Sequence, residues 1–398
     1  MAADSANVDI AIVGGGIHGA GIAQRAAAAG HRVLLLEKSQ AAAGTSSRSS
    51  KLIHGGLRYL ETGQLRLVRE SLHERSALLR LAPELVRLQR FYIPVYAETR
   101  RRPWVLGTGL SLYAVLAGFA RGAGFGLVAR REWDSLDGLA THGLQQVFHY
   151  HDAQTDDAAL TRAVLASAQR LGARLAMPAT FAGAEMQDSA VSVRYAAQGA
   201  LHECRARVLV NAAGPWAASV ARAVSPALEV PRIELVQGTH LLLPGPPSRG
   251  IYYVESPRDG RAIFVMPWHG QLMIGTTEVR YRGDPDAVAP TTGERHYLLG
   301  ILRRYFPAAA DSAAAPGTTM RAFAGLRVLP GGPGHAFHRS RETQLVADRA
   351  TAPRVISIYG GKLTTFRATA AQVLRLAAPS LPARHAIADV DTLPLTPA

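Results

Sequence analysis

Three cations in well-separated stretches of this 398-residue sequence stand beside glycine or apolar residues: Arg58 after Gly55-Gly56-Leu57, Arg327 in Gly325-Leu326-Arg327, and Lys362 after Gly361. A glycine bend lets a ligand approach the backbone closely. A phosphate dianion needs two or three cationic partners to offset its desolvation. Arg58 and Arg327 add planar forks of donors suited to phosphate or carboxylate. Singly, each is a side chain that ordinarily lies solvated on a surface; together they point to a site for a phosphate-bearing ligand. His240, in the run QGTHLLLP, has an ordinary pKa near 6.5. That value suits removal of a hydroxyl proton, although a histidine in such a place also serves as a structural hydrogen-bonder.

A second constellation lies near the start. Gly14, Gly16 and Gly19 fill the GxGxxG template, and Glu37 follows eighteen residues after Gly19. Gly14 allows the tight turn, Gly16 lets the backbone reach a pyrophosphate, and Gly19 permits close helix–strand packing. The N-terminus of the following helix offers N–H groups and a positive dipole end to phosphates. Glu37 is spaced to accept hydrogen bonds from a ribose. The fingerprint opens the chain and no second complete unit follows, so one dinucleotide is expected, and FAD is favoured over a nicotinamide. The stretch GTSSRSSKLIHGGLRYLE, residues 44–61, fits that choice. Its small hydroxyl residues can wrap a diphosphate and ribityl chain, and Gly55 and Gly56 permit approach to a flat ring.

The elements that must position these residues follow from pattern. Strand Val8–Val13, helix Ile17–Ala29 and strand Val33–Leu36 form one unit, with Gly30 stopping the helix. Leu65, Leu67, Val68, Leu72 and Leu78 give 64–81 a helical apolar face, and 91–95 is strand-like. A strand begins at 147. Asp156 and Asp157 open a helix over 158–171, and strands run on to Val210 and the turn NAAGPWA. Residues 226–324 alternate as an antiparallel sheet, interrupted by a helix over 292–305. Strands 343–347 and 355–359 precede a helix over 364–377. The predicted fold is α/β: a discontinuous Rossmann-like FAD domain (1–96, 147–225, 325–378), an inserted antiparallel-sheet substrate domain (97–146, 226–324) and an irregular tail (379–398).

Composition narrows the function classes. Hydrophobic residues make up 48% and charged residues 19%, a globular balance. The single cysteine, Cys204, excludes an internal disulfide framework and a cysteine metal cluster, and reads as a half-buried structural thiol. His149 and His151 flank Tyr150 at strand spacing, without a third ligand nearby to make a metal site. The formal charge of +14 favours anionic partners, but no nucleic-acid motif accompanies it. The first ten residues carry no signal-peptide pattern, and no run of about 20 apolar residues suggests a spanning helix. Residues 104–120 carry no charge and are flanked by Arg100–Arg102 and Arg121. They suit a buried core helix or an interfacial one.

The blocks IVGGGIHGAGIA, TSSRSSKLIHGGLRYLE, LVRESLHER, QGTHLLLP, FVMPW, IGTTE and GGKLTTFR span residues 8–367 and resemble the FAD-dependent respiratory glycerol-3-phosphate dehydrogenases. The SSKLIHGGLRYLE block is the most specific. GxGxxG and GTTE are shared more widely among flavin amine oxidases. The resemblance implies a D-amino-acid-oxidase-like two-domain flavoprotein that oxidises sn-glycerol 3-phosphate to dihydroxyacetone phosphate and passes electrons to a membrane quinone. It also implies a cytoplasmic protein in peripheral contact with the inner face of the membrane. Gly14, Gly16, Gly19 and Glu37 would then hold the ADP half of FAD, and Ser46, Ser47 and Lys51 its middle. Ala213 and Gly214 would form a second nucleotide-contacting turn. Gly361, Leu363, Thr364 and Thr365 would lie at the flavin pyrimidine. Arg58, Tyr59, His240, Arg327 and Lys362 would form the substrate pocket. His54, inside the wrapping block, reads as a flavin-side structural residue rather than the base.

The sequence departs from the family at several points. Val328 stands where Arg-Pro is usual, the loop GGPGHAFHRS is Gly- and His-rich, and Gln237 replaces a frequent lysine. The respiratory members continue into a helical C-terminal domain, whereas this sequence ends at Ala398. An amine or amino-acid oxidase of the same fold, with one arginine on a carboxylate, and a flavin-binding protein without turnover are the rival expectations.

Overall fold

A computed structural model describes residues 6–61, 63–118, 122–331 and 343–397. Its helices are α1 (Ile17–Ala28), α2 (Leu65–Leu81), α3 (Pro103–Leu116), α4 (Asp157–Arg170), α5 (Ala217–Arg222), α6 (Thr292–Tyr305), α7 (Pro307–Ala314) and α8 (Phe366–Ala377). Two sheets organise them, one for each domain.

The first sheet has a parallel centre. Ala6–Val13 pairs with Val33–Leu36 on one side and with Ala200–Asn211 on the other. Arg174–Ala176 extends one edge, and Val355–Tyr359 pairs with residues 209–211. The run Val33–Leu36 is buried throughout, as expected of a parallel strand covered on both faces. Helices α1, α4 and α8 pack on one face, around Ile10, Ile12, Val164, Val208 and Phe366. Gly19 makes the α1 contact possible: a Cβ there would sit 1.9 Å from the Gly14 carbonyl oxygen. Gly21 does the same for α8, because a Cβ would meet the Phe366 ring at 2.6 Å. Each buried Val, Leu, Ile or Phe contributes about 1.5–3 kcal/mol, so this face anchors the fingerprint turn firmly.

The second sheet runs in the order Val279–Tyr281, Ile233–Leu243, Gln271–Gly275, Ala262–Trp268, Ile251–Glu255, Val86–Tyr96, Leu144–Thr155 and Leu52–Ile53, with Arg321–Pro330 also paired to Ile233–Leu243. Helix α6 packs behind it through Leu298, Ile301 and Leu302. A capping box between Thr291 and Glu294 starts α6, and Pro307 opens α7 directly after it.

The sheet pairing corrects the expected boundaries. Val86–Tyr96, Leu144–Thr155 and Arg321–Pro330 belong to the second sheet, although 91–95, 147–155 and 325–330 fell in the expected nucleotide domain. Alternation announces a strand but not its neighbours, and these strands pair over long sequence distances. Residues 381–397 carry no helix or strand, yet they are tied down. Arg384 pairs with Asp9, Arg367 with Asp391, and the Leu395 amide donates to the Leu81 carbonyl. Cys204 is fully buried rather than half-buried, and burial pushes its thiol up to about 11.

Helix α3 divides the two expectations for residues 104–120. Leu106, Leu110 and Tyr113 face the core, while Trp104 is 74% and Val115 56% exposed on the outer side. Arg101 turns inward to pair with Glu61 and Glu255, so it does not offer its charge to solvent. Among the described residues, no helix is long and apolar enough to cross a membrane. Residues 119–121 and most of the loop 331–340 lie outside the described residues.

Candidate active site

A cavity of about 640 Å3 is lined by both domains. At one end stand Gly14, Gly16 and Glu37. The Glu37 carboxylate accepts from the Gly15 amide at 2.7 Å and from the Ser39 amide at 2.9 Å, which fixes its direction. Lone pairs remain for further donors. Gly14 lies at φ +112, where a Cβ would be 2.6 Å from the Ala212 carbonyl oxygen. Gly16 has no side chain to cap α1, and Ser46 Oγ from the wrapping loop accepts the Ile17 amide at 2.9 Å instead. The first turn of α1 therefore meets the cavity with its positive dipole end.

The middle and far end follow. Ala213, Gly214, Gly361, Leu363 and Thr364 line the cavity. Gly361 lies at φ +97, and a Cβ there would collide with the His18 ring at 2.4 Å. Helix α8 begins just behind this turn without a side-chain cap, so its N-terminus favours negative charge there. A bare backbone cradle, two helix starts whose own N-cap residues make no side-chain cap bond, and an oriented carboxylate fit a dinucleotide that carries a flavin.

Arg58, Tyr59, His240, Arg327 and Lys362 all line the same cavity. Lys362 Nζ lies 3.9 Å from the centre of the Tyr59 ring, and the Arg58 guanidinium 5.6 Å from it. One buried ring thus holds two cations through its π face. Arg327 stands in register opposite Val236, with Gly325 opposite Gly238 and Phe323 opposite His240. These residues share one face because side chains alternate along a strand. Arg327 Nη2 donates to the Thr277 carbonyl at 2.9 Å. His240 stacks on Phe323 with centroids 4.9 Å apart, and its Nε2 lies 3.0 Å from Ser50 Oγ.

The histidines of the cavity differ. Burial, helped by Lys51 and Arg327, lowers the His240 pKa to about 3. Burial lowers that of His18 to about 4. Both imidazoles are neutral at physiological pH and hold protons weakly. His54 lines the cavity only half-buried, on the turn that leads to Arg58, and its amide donates to Thr364 Oγ1 at 3.3 Å.

Four of the expected cofactor residues do not line the cavity. Gly19 serves helix packing. Lys51 is buried against Asp157 at 2.7 Å and the Ser47 carbonyl at 2.6 Å, so it braces the wrapping loop from behind. Burial outweighs that pairing and raises the Asp157 pKa. Ser47 turns its hydroxyl to the Gly44 carbonyl, and Thr365 is buried at the start of α8. Gln237 is not at the pocket rim: its amide reaches Glu294 of α6 at 2.6 Å, on the opposite face of the sheet from Gly238 and His240.

Three further cations line the cavity. Lys38 pairs with Asp286 at 2.5 Å, Arg48 donates to the Ala324 carbonyl, and Arg261 pairs with Glu278 at 2.8 Å. Arg48 lies in the SSRSS block, and the GTTE block supplies Glu278, the partner of Arg261. Among the described residues, no group of three or more His, Cys, Asp or Glu is placed to hold a metal ion.

Comparison with known proteins agrees with this geometry. D-erythritol 1-phosphate dehydrogenase of Brucella abortus is 35% identical over 373 residues, covering 92% of this chain and 72% of that protein. A glycerol-3-phosphate dehydrogenase of Pseudomonas aeruginosa is 37% identical over 384 residues, covering 92% and 70%. The FAD complex of the glycerol-3-phosphate dehydrogenase from Bacillus halodurans superposes with a TM-score of 0.71 at 26% identity, over 94% of this chain and 64% of that one. The family model described as "DAO: FAD dependent oxidoreductase" matches residues 9–372. With a nucleotide cradle, a flavin-side turn and a cationic pocket in one cavity, the chain belongs to this family of FAD-dependent oxidoreductases.

Proposed function

We propose that this protein oxidises the secondary hydroxyl of a small phosphorylated polyol, sn-glycerol 3-phosphate, to the ketone of dihydroxyacetone phosphate. One observation carries the reading: Arg58, Arg327 and Lys362, from three separate segments, line one cavity beside the turn suited to flavin. Bound FAD supplies the hydride acceptor. The chain's own residues do the rest. Arg58, Arg327 and Lys362 bind the phosphate dianion, and part of that binding energy positions the reacting carbon. Phe91, Tyr253 and Phe264 supply apolar walls that exclude water. His54, rather than His240 as the sequence suggested, takes the hydroxyl proton: it lines the cavity half-buried, whereas burial holds His18 and His240 neutral with little proton affinity. His240, held by Ser50 and Phe323, orients the substrate by hydrogen bonding.

A four-carbon substrate, D-erythritol 1-phosphate, is the second reading, favoured by the Brucella abortus relative at 35% identity. Oxidation of an amino acid would use one cation for a carboxylate and leaves the other two without a role. A membrane quinone as electron acceptor draws its support from α3, whose exposed Trp104, Val105, Leu112 and Val115 suit a lipid interface. The test is turnover of FAD-loaded protein with a dye acceptor and identification of the ketone product. Dihydroxyacetone phosphate from glycerol 3-phosphate supports the first reading, and a four-carbon ketose phosphate formed in preference supports the second. Turnover of amino acids alone refutes both.

A further inference from the structure

A buried polar chain that touches the cavity wall at Asp152 ends on the turn that carries His54 and Arg58. Arg75 of α2 and Asp152 are each only 1% exposed and pair at 2.9 Å. The Tyr113 hydroxyl donates to the other Asp152 oxygen at 2.7 Å. The same hydroxyl accepts the Gly55 amide at 2.9 Å. Tyr113 is the innermost polar group of α3, an otherwise uncharged helix, and burial beside Asp152 holds its pKa well above the usual value. It is therefore a fixed phenol, donating to the carboxylate and accepting from the backbone. Residue 55 must be glycine for this contact, since a Cβ would come within 2.3 Å of the hydroxyl and 2.5 Å of Leu72.

The neighbouring amide, that of His54, is held by Thr364 from the flavin-side turn. Two successive amides are thus anchored by different domains, one through Thr364 and one through Tyr113. Arg58 follows Gly55 and Lys362 precedes Thr364 in the chain, and the two cations meet on the Tyr59 ring. A buried Arg–Asp pair contributes little net stability by itself; here it sets the direction of one hydroxyl.

We propose that Tyr113 is a positioning residue, which fixes through Gly55 where His54 and Arg58 stand relative to the flavin-side turn. The kinetic consequence rests on the function proposed above; the structural consequence does not. The experiment compares Tyr113→Phe with Leu110→Ala in the FAD-loaded protein. Leu110 lies on the same inner face of α3 and is 1% exposed, so its truncation loosens the helix without touching the hydroxyl. Hydrogen exchange of the peptide 52–60 is measured alongside kcat/KM for glycerol 3-phosphate and the melting temperature. Tyr113→Phe is expected to speed exchange of the 54–56 amides at least tenfold and to lower kcat/KM about tenfold, with FAD occupancy unchanged. Leu110→Ala is expected to lower the melting temperature at least as much while leaving both quantities within twofold. Unchanged exchange in Tyr113→Phe, or equal effects of the two variants, overturns the proposal. A wild type that oxidises no phosphorylated polyol refutes the function alone, and the exchange comparison still decides Tyr113.

Discussion

Arg327→Lys separates phosphate binding from every structural role of this strand. The guanidinium spends one nitrogen on the Thr277 carbonyl at 2.9 Å and lies across Gly238, where a Cβ would approach it to 3.0 Å. The same guanidinium lines the cavity. A lysine keeps the charge but has a single ammonium, so it cannot both hold Thr277 and present two parallel donors to a phosphate. The loss is about one charge-assisted hydrogen bond, roughly 1.5–3 kcal/mol, or about ten- to 150-fold in kcat/KM. The assay is steady-state turnover of FAD-loaded wild type and variant on glycerol 3-phosphate and on glycerol. Glycerol lacks the phosphate, so its slow rate is expected to change less than threefold. An equal loss on both substrates means that Arg327 shapes the sheet or the flavin end, and the phosphate clamp would have to be given up.

Four more outcomes are expected. Glu37→Ala leaves the Gly15 and Ser39 amides without their acceptor and removes a ribose partner, so the FAD dissociation constant of the apoprotein should rise roughly ten- to 150-fold; titration by flavin fluorescence checks it. His54→Asn should lower kcat/KM at neutral pH more than His240→Asn does, and the reverse order would exchange the two assignments. His18 and His240 bind protons far more weakly when folded, at about 4 and about 3, than when unfolded, near 6.5. The unfolded chain therefore takes up protons first as pH falls, and stability, intact above about pH 6.5, declines toward pH 4. At pH 5 each histidine costs about 2 kcal/mol, so urea midpoints at pH 7 and pH 5 should differ clearly, and equal midpoints would contradict the burial argument. If α3 contacts lipid, Trp104→Ser with Val115→Ser should reduce co-sedimentation with anionic vesicles more than Arg101→Gln does, because Arg101 is already paired inside.

The nucleotide half of the site was legible because its determinants are local. Gly14, Gly16, Glu37 and the strand–helix–strand around them lie within thirty-two residues, and backbone sterics dictate each position. The helix over 292–305 was equally plain, with Thr291 and Glu294 marking its start. Sheet membership was not legible. Val86–Tyr96 and Leu144–Thr155 alternate like many strands, and only their long-range pairing assigns them to the second sheet. The same limit explains Lys51 and Gln237. A lysine in a hydroxyl-rich loop looks like a phosphate ligand until Asp157, over a hundred residues later, takes it. Gln237 is one residue from Gly238, and one residue along a strand is the difference between the pocket and α6. His54 and His240 differ in burial, which the sequence carries only through partners such as Phe323 and Lys51.

The most direct test of the central account is anaerobic mixing of the FAD-loaded protein with candidate substrates, followed by the absorbance of oxidised flavin. Glycerol 3-phosphate or its four-carbon homologue should bleach the flavin in a saturable single turnover, while glycerol, erythritol and amino acids bleach it at least a hundredfold more slowly. Bleaching by an amino acid with none from any phosphorylated polyol would contradict the account.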